Sequence, residues 1–440
     1  MSAATVPTHP LLAGVDALLD GRLREPGFLA ERRRQAAASF ARLGLPTRRW
    51  EEWRFTGVKH LGEAPWVVAE RARQLPPMPR PSLADGLRLA VVDGWLEPEL
   101  SRLDGLPDGV FAGSLAEAAA RRPELVEPHL ARHDALTDHP FVALSTAQFR
   151  DGVLLWVPAG TVLDRPIEVE LIARPHDRPT IVLPRFLIVV GRSSQATVIL
   201  RSSGGSADTF TCAVTEVVLE DGAVLDHCSV IDDDRGVTHI ASLEARQGRD
   251  SALRSGAFTL GGGLVRNDLA VTLRGEGADA TLDGLYLTSG GQHVDNHLRV
   301  RHGAPGGTSR QLYKGILDGS SRAVFNGRIV VDTCAQKTDA RQSNRNLLLS
   351  AEALVQSNPQ LEILADDVRC THGSTIGRLD EDAVFYLRSR GLDRGAAESM
   401  LTWAFAAEVV DRVRVPELRD SLRDAMLARL PGPAPFAEAM

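Results

Sequence analysis

The sequence predicts a mainly β protein whose core is a solenoid of short, evenly spaced strands, with helical regions at both ends. Two observations predict this fold class. Between about Asp151 and Cys370 the chain is a succession of strand-like runs separated by breaks rich in Gly, Asp and Ser. No stretch between these runs is long or amphipathic enough to form a crossover helix, so that neighbouring runs are joined directly by turns.

The first part of the chain has helical character. The run ERRRQAAASFARL at Glu31–Leu43 suits a helix that Pro46 ends, and SLAE from Ser114 is a capping box at the start of a second helix. We therefore expect a helix-rich N-terminal domain at residues 1–150.

Strand patterning begins after this region. In the segment IEVEL, three apolar residues alternate with Glu168 and Glu170, which is typical of a half-buried strand. Further along, strand-like runs begin at intervals of 14, 13, 15 and 13 residues, near Leu269, Asp283, Asn296, Gln311 and Val324. This spacing favours a solenoid over residues 151–377, although a β-sandwich or a propeller also consists of short strands with regular turns.

The end of the chain changes to helical periodicity. Apolar residues recur every fourth position after Gly377, at Ala397, Leu401, Phe405, Val409 and Val413 and again at Leu418, Leu422, Met426 and Leu430. We expect a C-terminal helical domain at residues 378–440. Its first helix runs through DEDAVFYLRSR, is anchored by Phe385, Tyr386 and Leu387, and ends at Gly391.

Composition excludes several classes of protein. The net charge of −7, with basic residues scattered along the chain, argues against nucleic acid as a partner. No apolar run approaches the roughly 18 residues that cross a bilayer, and the N-terminus MSAATVPTHP lacks the pattern of a signal peptide. We expect a cytoplasmic protein that binds no membrane. Its four cysteines are too sparse for a disulfide framework and should be reduced thiols.

Motifs of common enzymes are missing from the sequence. There is no GxxxxGK[ST], GxSxG or HExxH, and the glycine run at 261–263 falls in a turn between strands. We therefore expect neither ATP hydrolysis nor another catalytic activity of its own. The triplet Asp232-Asp233-Asp234 could serve as the carboxylates of a β-helical carbohydrate-active enzyme, but it is better interpreted as a solvated turn.

The segment DVRCTHGSTIG contains the candidate functional site. Cys370 and His372 are two residues apart, and so lie on the same face of an extended strand, roughly 7 Å from each other. Thiolate and imidazole are ligands for iron, zinc and iron-sulfur clusters, but a closed site needs about four ligands. A second subunit would have to supply the others.

Other potential metal ligands have simpler interpretations. His293 and His297 would lie about 13 Å apart on one face of a strand, too far to share a metal. Cys212 lies in a different strand-like run from His227 and Cys228, and an isolated cysteine is more often a small buried apolar residue.

A long segment then resembles a known family. The stretch SNRNLLLSAEALVQSNPQLEILADDVRCTHGSTIGRLDEDAVFYLRSRGL is similar to the shared signature of the SufB and SufD family of iron-sulfur cluster assembly scaffold proteins. The stretch RRWEEWRFTGVKHL resembles the Glu-Trp-(Lys/Arg)-(Tyr/Phe)-Thr element of that family. Gly373 favours the SufD branch, because SufB-like chains usually have Glu at this position. Ser374 replaces an alanine usual in that branch, a change that we expect to matter little.

The resemblance implies a fold and a set of partners. It implies a right-handed parallel β-helix flanked by helical N-terminal and C-terminal domains. It also implies that the chain pairs with SufB through the β-helices and with the ATPase SufC through the C-terminal helices. A homodimer of this chain in the absence of SufB is a further possibility.

The resemblance also implies roles for two residues. His372 matches the histidine that the family associates with nascent cluster formation at the subunit interface, and Cys370 is the less certain second ligand. We expect both to bind iron or a transient iron-sulfur cluster that is shared with SufB, supporting iron acquisition under control of SufC, while this chain binds no nucleotide. The alternative is a purely architectural partner of SufB.

Overall fold

The core of the protein is a parallel β-helix of about eight turns. The structure, a computed structural model, describes residues 9–12, 15, 25–78, 83–84, 86–132 and 137–430. The core strands pair in parallel with the strands two places before and after them in the chain. A sandwich or a propeller would need antiparallel neighbours, so this pairing confirms the predicted solenoid.

Each turn of the β-helix contributes one strand to each of two sheets. The first sheet ends with β18 and β20, and the second with β19 and β21. The strands are β1 Val67–Val68, β2 Leu87–Val92, β3 Trp95–Leu96, β4 Phe111–Ser114, β5 Gly152–Val157, β6 Ile167–Ala173, β7 Thr180–Val182, β8 Arg185–Val190, β9 Gln195–Gly204, β10 Thr209–Leu219, β11 Val224–Asp233, β12 Thr238–Gln247, β13 Ala252–Thr259, β14 Leu264–Leu273, β15 Asp279–Thr288, β16 His293–His302, β17 Thr308–Leu317, β18 Arg322–Val331, β19 Asp339–Leu348, β20 Leu354–Ile363 and β21 Arg369–Gly377.

The helices lie before and after the β-helix in the chain. They are α1 Gly27–Leu43, α2 Leu115–Arg121, α3 Pro123–Val126, α4 Pro140–Gln148, α5 Glu381–Ser389, α6 Arg394–Val410 and α7 Pro416–Leu427. The predicted capping box is confirmed, since the Ser114 side chain accepts a hydrogen bond from the Glu117 N–H. Gly391 follows α5 with φ of 99°, the left-handed conformation predicted for a helix end.

The five evenly spaced strands are confirmed as β14 to β18, each beginning a few residues before the predicted position. β2 and β4 already belong to the two sheets, so β structure starts before residue 151. The boundaries of the three domains, 1–150, 151–377 and 378–440, stay predictions. The segment MSAATVPTHP, apart from its last two residues, lies outside the described residues, as do residues 431–440.

Side chains alternate between the interior and the outside of the β-helix. The alternation follows from the two-residue period of a β-strand. Because the register between paired strands does not shift, inward residues of successive turns stack on each other. One such column consists of Ala280, Ser309, Ala340 and Cys370.

Helices cover the two outer faces. The outer face of the first sheet, with Phe210 and Cys212, packs with Phe40 and Phe141 of the N-terminal helices. The outer face of the second sheet, with Cys228 and Phe258, packs with Trp403, Leu418 and Leu422 of the C-terminal helices. No described helix is both long and apolar enough to cross a membrane.

The two ends of the β-helix differ. At the N-terminal end, the sheets finish in short antiparallel strands, with β3 beside β2 and β4 beside β5, and Leu103, Leu106 and Val110 pack against the interior cluster. At the C-terminal end, β20 and β21 are the last strands, and their outer edges have no strand partner within the described part of the chain. The interior of the β-helix therefore opens at its C-terminal end.

The prediction that β6 is half-buried was wrong. Glu168 and Glu170 are 1% and 0% exposed, because the outer face of β6 is covered as well as the inner one. Burial, together with the charge of Glu168, raises the pKa of Glu170 to about 7, although Arg201 and Arg88 partly offset the shift. A period-two pattern cannot show whether a polar face is covered by another part of the chain.

We expect Glu170→Gln to stabilise the protein at alkaline pH. A carboxyl whose pKa is raised on folding contributes stability below the unfolded pKa, and that contribution is lost as pH rises through about 7. At pH 8 the variant should exceed the native chain by roughly 1–3 kcal/mol in the free energy of unfolding, measured by urea titration. Near pH 5 the difference should become small, and an equal difference at both pH values would contradict this origin.

Candidate functional site

Cys370 and His372 both lie on β21, in the last turn of the β-helix. Their register partners on β19 are Ala340 and Gln342. Because Ala340 packs in an interior apolar cluster together with Cys370, both predicted ligands belong to the inward face. The structure therefore brings the two residues together at the open end of the interior.

The environment of Cys370 favours its neutral form. The side chain is half-buried, and burial raises the pKa of the thiol, although a backbone hydrogen bond from Ala340 partly offsets this. A thiol with a raised pKa is a poor free nucleophile, but a metal ion would supply the positive charge that stabilises the thiolate. The site thus suits metal ligation better than nucleophilic catalysis.

His372 is exposed at the opening. Beneath it in the same column, Gln342 donates a hydrogen bond from Nε2 to Oε1 of Gln311 at 2.7 Å. The exposed His372 therefore follows a buried polar pair in the same inward-facing column. In the part of the chain that the structure describes, no group of three or more His, Cys, Asp and Glu side chains is arranged to hold a metal ion.

Apolar side chains surround the opening. Ile376 belongs to the inward face, in register with Asn346, yet it is 49% exposed because no further turn covers it. Ile363 and Leu364 at the end of β20 are also exposed. Inward-facing apolar residues that remain exposed indicate a surface that another molecule covers.

The expected anchors of α5 are placed differently. Phe385 and Tyr386 are 71% and 56% exposed, whereas Val384 is buried. The prediction was therefore wrong for the two aromatic residues, since the helix buries Val384 instead, while the third predicted anchor, Leu387, is half-buried. The aromatic side chains add to the exposed apolar surface that follows the open end in the chain.

The two buried cysteines and His227 have structural roles. Cys212 and Cys228 are buried under the N-terminal and C-terminal helices, respectively. Burial raises the pKa of Cys228 to about 12 and lowers the pKa of His227 to about 4. His227 hydrogen-bonds Ser255 at 3.0 Å. These groups are neutral at physiological pH and do not form a site with Cys370.

The acidic triplet is not a simple solvated turn, which corrects the interpretation made from sequence. Asp233 is buried and accepts hydrogen bonds from Ser202 at 2.6 Å and from His239 at 2.6 Å. Asp232 forms an ion pair with Arg429 near the C-terminus. Asp232 and Asp233 are thus engaged in structural contacts, whereas Asp234 is exposed directly after β11.

Sequence reasoning missed a buried cluster of charged residues on the outer face of the first sheet. Arg266 is fully buried, and its guanidinium lies 3.6 Å from the ring centroid of Trp53. It donates hydrogen bonds to Asp268 at 2.7 Å and to Asp295 at 2.8 Å. Thr56 also donates to Asp295. Trp53 and Thr56 belong to the RRWEEWRFTGVKHL segment, so the contacts of this segment hold the N-terminal region against the β-helix.

The cluster holds its carboxylates ionised. Burial alone would raise the pKa values of Asp268 and Asp295, but Arg266 together with His139 and His297 more than compensates and lowers both. His293 and His297 both belong to this network, since His297 pairs with Asp295 at 3.0 Å and His293 contacts Thr56 at 2.9 Å. The strand β16 that holds them is unbroken.

Comparisons with known proteins agree with this architecture. Residues 173–405 match the family described as SUF system FeS cluster assembly, SufBD core domain, and residues 22–169 match the SufBD protein N-terminal region. An iron-sulfur cluster assembly SufBD family protein of Synechocystis is 34% identical over 424 residues, covering 92% of each chain. The iron-sulfur cluster assembly protein SufD of Escherichia coli is 31% identical over 399 residues, covering 89% of this chain and 91% of the relative. SufD of Bacillus subtilis is 26% identical over 318 residues, covering 71% of this chain and 72% of the relative.

We expect Arg266→Met to destabilise the protein strongly. The substitution leaves Asp268 and Asp295 buried without their main cation, and breaking a buried ion pair in this way costs about 3–5 kcal/mol. Urea unfolding measures the loss. Arg322→Met, which changes an exposed arginine on the neighbouring β18, should stay within about 0.5 kcal/mol of the native chain. Equal losses in the two variants would show that the cluster has no special role.

Proposed function

The chain belongs to the SufBD family of the SUF iron-sulfur cluster assembly system, and from this premise we propose that it is a scaffold subunit without enzymatic activity. In this proposal it supports iron acquisition and the assembly of a nascent cluster at its interface with SufB, under the control of the SufC ATPase. The observation that carries the proposal is the position of Cys370 and His372 on the last inward face of an open-ended β-helix.

Two ligands at an opening suit a transient cluster. Cys370 would supply a thiolate and His372 a neutral imidazole nitrogen, while SufB supplies the remaining ligands. Iron is the cargo of this site, and a cargo must later be released to other proteins. Because the thiol pKa is raised by burial, iron binding releases a proton and becomes stronger as pH rises.

The open end is the surface proposed for SufB. The outer edges of β20 and β21, which pair with no strand among the described residues, offer backbone donors and acceptors, and exposed Ile376 and Ile363 offer apolar area. A subunit that docks there would cover both predicted ligands at once. This geometry supports a shared site, with SufB adding its own ligands across the interface.

The C-terminal helices are the surface proposed for SufC. Phe385 and Tyr386 on α5 are exposed, and α5 follows β21 after three residues. In the proposal, ATP-driven dimerisation of SufC pulls on these helices and rotates the junction with SufB, which makes the ligands that SufB covers accessible. The short connection between α5 and the ligand strand supports this coupling.

We expect His372→Ala to abolish cluster formation without dissolving the complex. The test is anaerobic iron and sulfide loading of the complex co-expressed with SufB and SufC, with assembly checked by size-exclusion chromatography. Loading should fall at least about tenfold with His372→Ala, in line with loss of a metal ligand, and less with Cys370→Ala. Cys334→Ala, which removes an exposed thiol in a turn, is the matched control.

The loading experiment also decides between two functions. If His372→Ala and Cys370→Ala both load like the native chain, the chain is an architectural partner and the ligands belong to SufB. If the native complex itself takes up no iron or sulfide, the scaffold function fails.

We expect Ile376→Asp to weaken pairing with SufB. A charge placed on the apolar opening would be buried without a partner, so Kd should rise at least about tenfold, measured by interferometry with purified SufB. Val162→Asp is the matched control, because Val162 is 53% exposed but lies near the other end of the β-helix. Equal weakening by both substitutions would move the interface away from the open end.

A further inference from the structure

A chain of hydrogen-bonded polar side chains runs through the interior of the β-helix towards its open end. Its buried part is a closed ring of three residues. The Tyr286 hydroxyl donates to Oδ1 of Asn346 at 2.5 Å, Asn346 donates to Oδ1 of Asn344 at 2.7 Å, and Asn344 donates to the Tyr286 oxygen at 3.3 Å. All three side chains are at most 3% exposed. Such a ring is rigid because each member is held by the other two.

The ring spans two turns because a glycine lies between its members. In register, Tyr286 is followed by Gly315 and then by Asn346. A Cβ on Gly315 would approach the Tyr286 ring to 2.2 Å and Oδ1 of Asn346 to 2.5 Å. The missing side chain therefore lets the tyrosine hydroxyl reach the asparagine, and any larger residue at this position would break the ring.

A branch of the same chain leaves the ring for the last turn. The Ser357 hydroxyl donates to Oδ1 of Asn344 at 2.9 Å, and the Ser374 hydroxyl donates to the Ser357 oxygen at 2.8 Å. Ser357 lies on β20 of the first sheet, and Ser374 lies on β21 of the second. The branch thus crosses the interior and ties the two edge strands to each other and to the buried ring.

The strand β21 in the last turn has fewer stabilising contacts than the strands of the other turns. β21 pairs along one edge with β19, and its residues are exposed apart from half-buried Cys370. A strand with one paired edge and little burial opens locally at a small cost in free energy. Motion of this strand would move Cys370 and His372 together.

We propose that this hydrogen-bond chain, which we name the interior ladder (Tyr286, Asn346, Asn344, Ser357 and Ser374), holds the ligand strand in position for iron. Ser357 and Ser374 are positioning residues, since they act on Cys370 and His372 through the strand and not on the metal. The inference rests on the proposed function for its iron-binding consequence. Ser374, which resemblance alone treats as a minor replacement of alanine, supplies the last link.

The ladder is tested first on the isolated chain, by alkylation of Cys370 with iodoacetamide resolved by peptide mass spectrometry. Ser374→Ala removes one hydrogen bond at an exposed position and Ser357→Ala removes two. Ser374→Ala should speed the alkylation of Cys370 by about fivefold, the factor expected for one net hydrogen bond, and Ser357→Ala should speed it at least as much. Exposed Cys334 in the same sample is the internal reference, and its rate should not change.

Two further variants distinguish loss of the interior ladder from a general destabilisation of β21. Ser374→Thr keeps the hydroxyl and should restore the native rate. Thr375→Ala removes a neighbouring hydroxyl on the outward face of the same strand and should leave the rate unchanged. An unchanged Cys370 rate in both Ser357→Ala and Ser374→Ala, or an equal increase in Thr375→Ala, overturns the proposal.

The positioning role is tested in the complex with SufB and SufC. In Ser374→Ala the iron concentration for half-loading should rise about fivefold while the final amount loaded stays native, because the ligands remain and only their placement is lost. Faster alkylation with unchanged half-loading would overturn the positioning role. His372→Ala, run in parallel, reports on the proposed function: native loading in that variant overturns the proposed function, while the alkylation rates judge the ladder independently.

Discussion

Parallel pairing between successive turns is the constraint on which the rest of the structure depends. Each residue of a core strand lies beside a residue of the turn before and a residue of the turn after. Residues that are paired in this way point their side chains in the same direction, either into or out of the β-helix. A shift of one residue would exchange the two faces of a strand. Cys370 and His372 face the interior because Ala340 and Gln342 do so one turn earlier.

The interior is not uniformly apolar. Leucine and valine fill it through most of the turns, whereas Gln342, Asn344 and Asn346 lie in the next-to-last turn and are nearly fully buried. Glycines supply the space for these polar side chains. A Cβ on Gly327, on the opposite sheet, would approach the Gln342 amide nitrogen to 2.3 Å. Asn344 and Asn346 are hydrogen-bonded to each other and to Tyr286, and such a network favours one arrangement of the interior over its near alternatives.

Several features could be predicted from the sequence because they depend on local periodicity. The spacing of β14 to β18 predicts the solenoid, and the two-residue separation of Cys370 and His372 predicts a shared face. The features that the sequence did not predict depend on which other parts of the chain cover a residue. Glu170 is buried by segments far away in sequence, Phe385 is exposed because α5 buries its other side, and the contact between Trp53 and Arg266 joins residues more than two hundred positions apart. Ser374 belongs to this group, because its partner Ser357 is on another sheet.

The difference between the two ends has a consequence for higher-order assembly. A β-helix with two open ends can stack on further copies without limit, as strands do in a fibril. Here the N-terminal end finishes in short antiparallel strands, with Leu103, Leu106 and Val110 packed against the interior, so a contact between open interiors uses the C-terminal end of each partner and leaves no second open interior for a third. Association through this end therefore stops at a pair, and the architecture protects a chain rich in parallel strands against polymerisation.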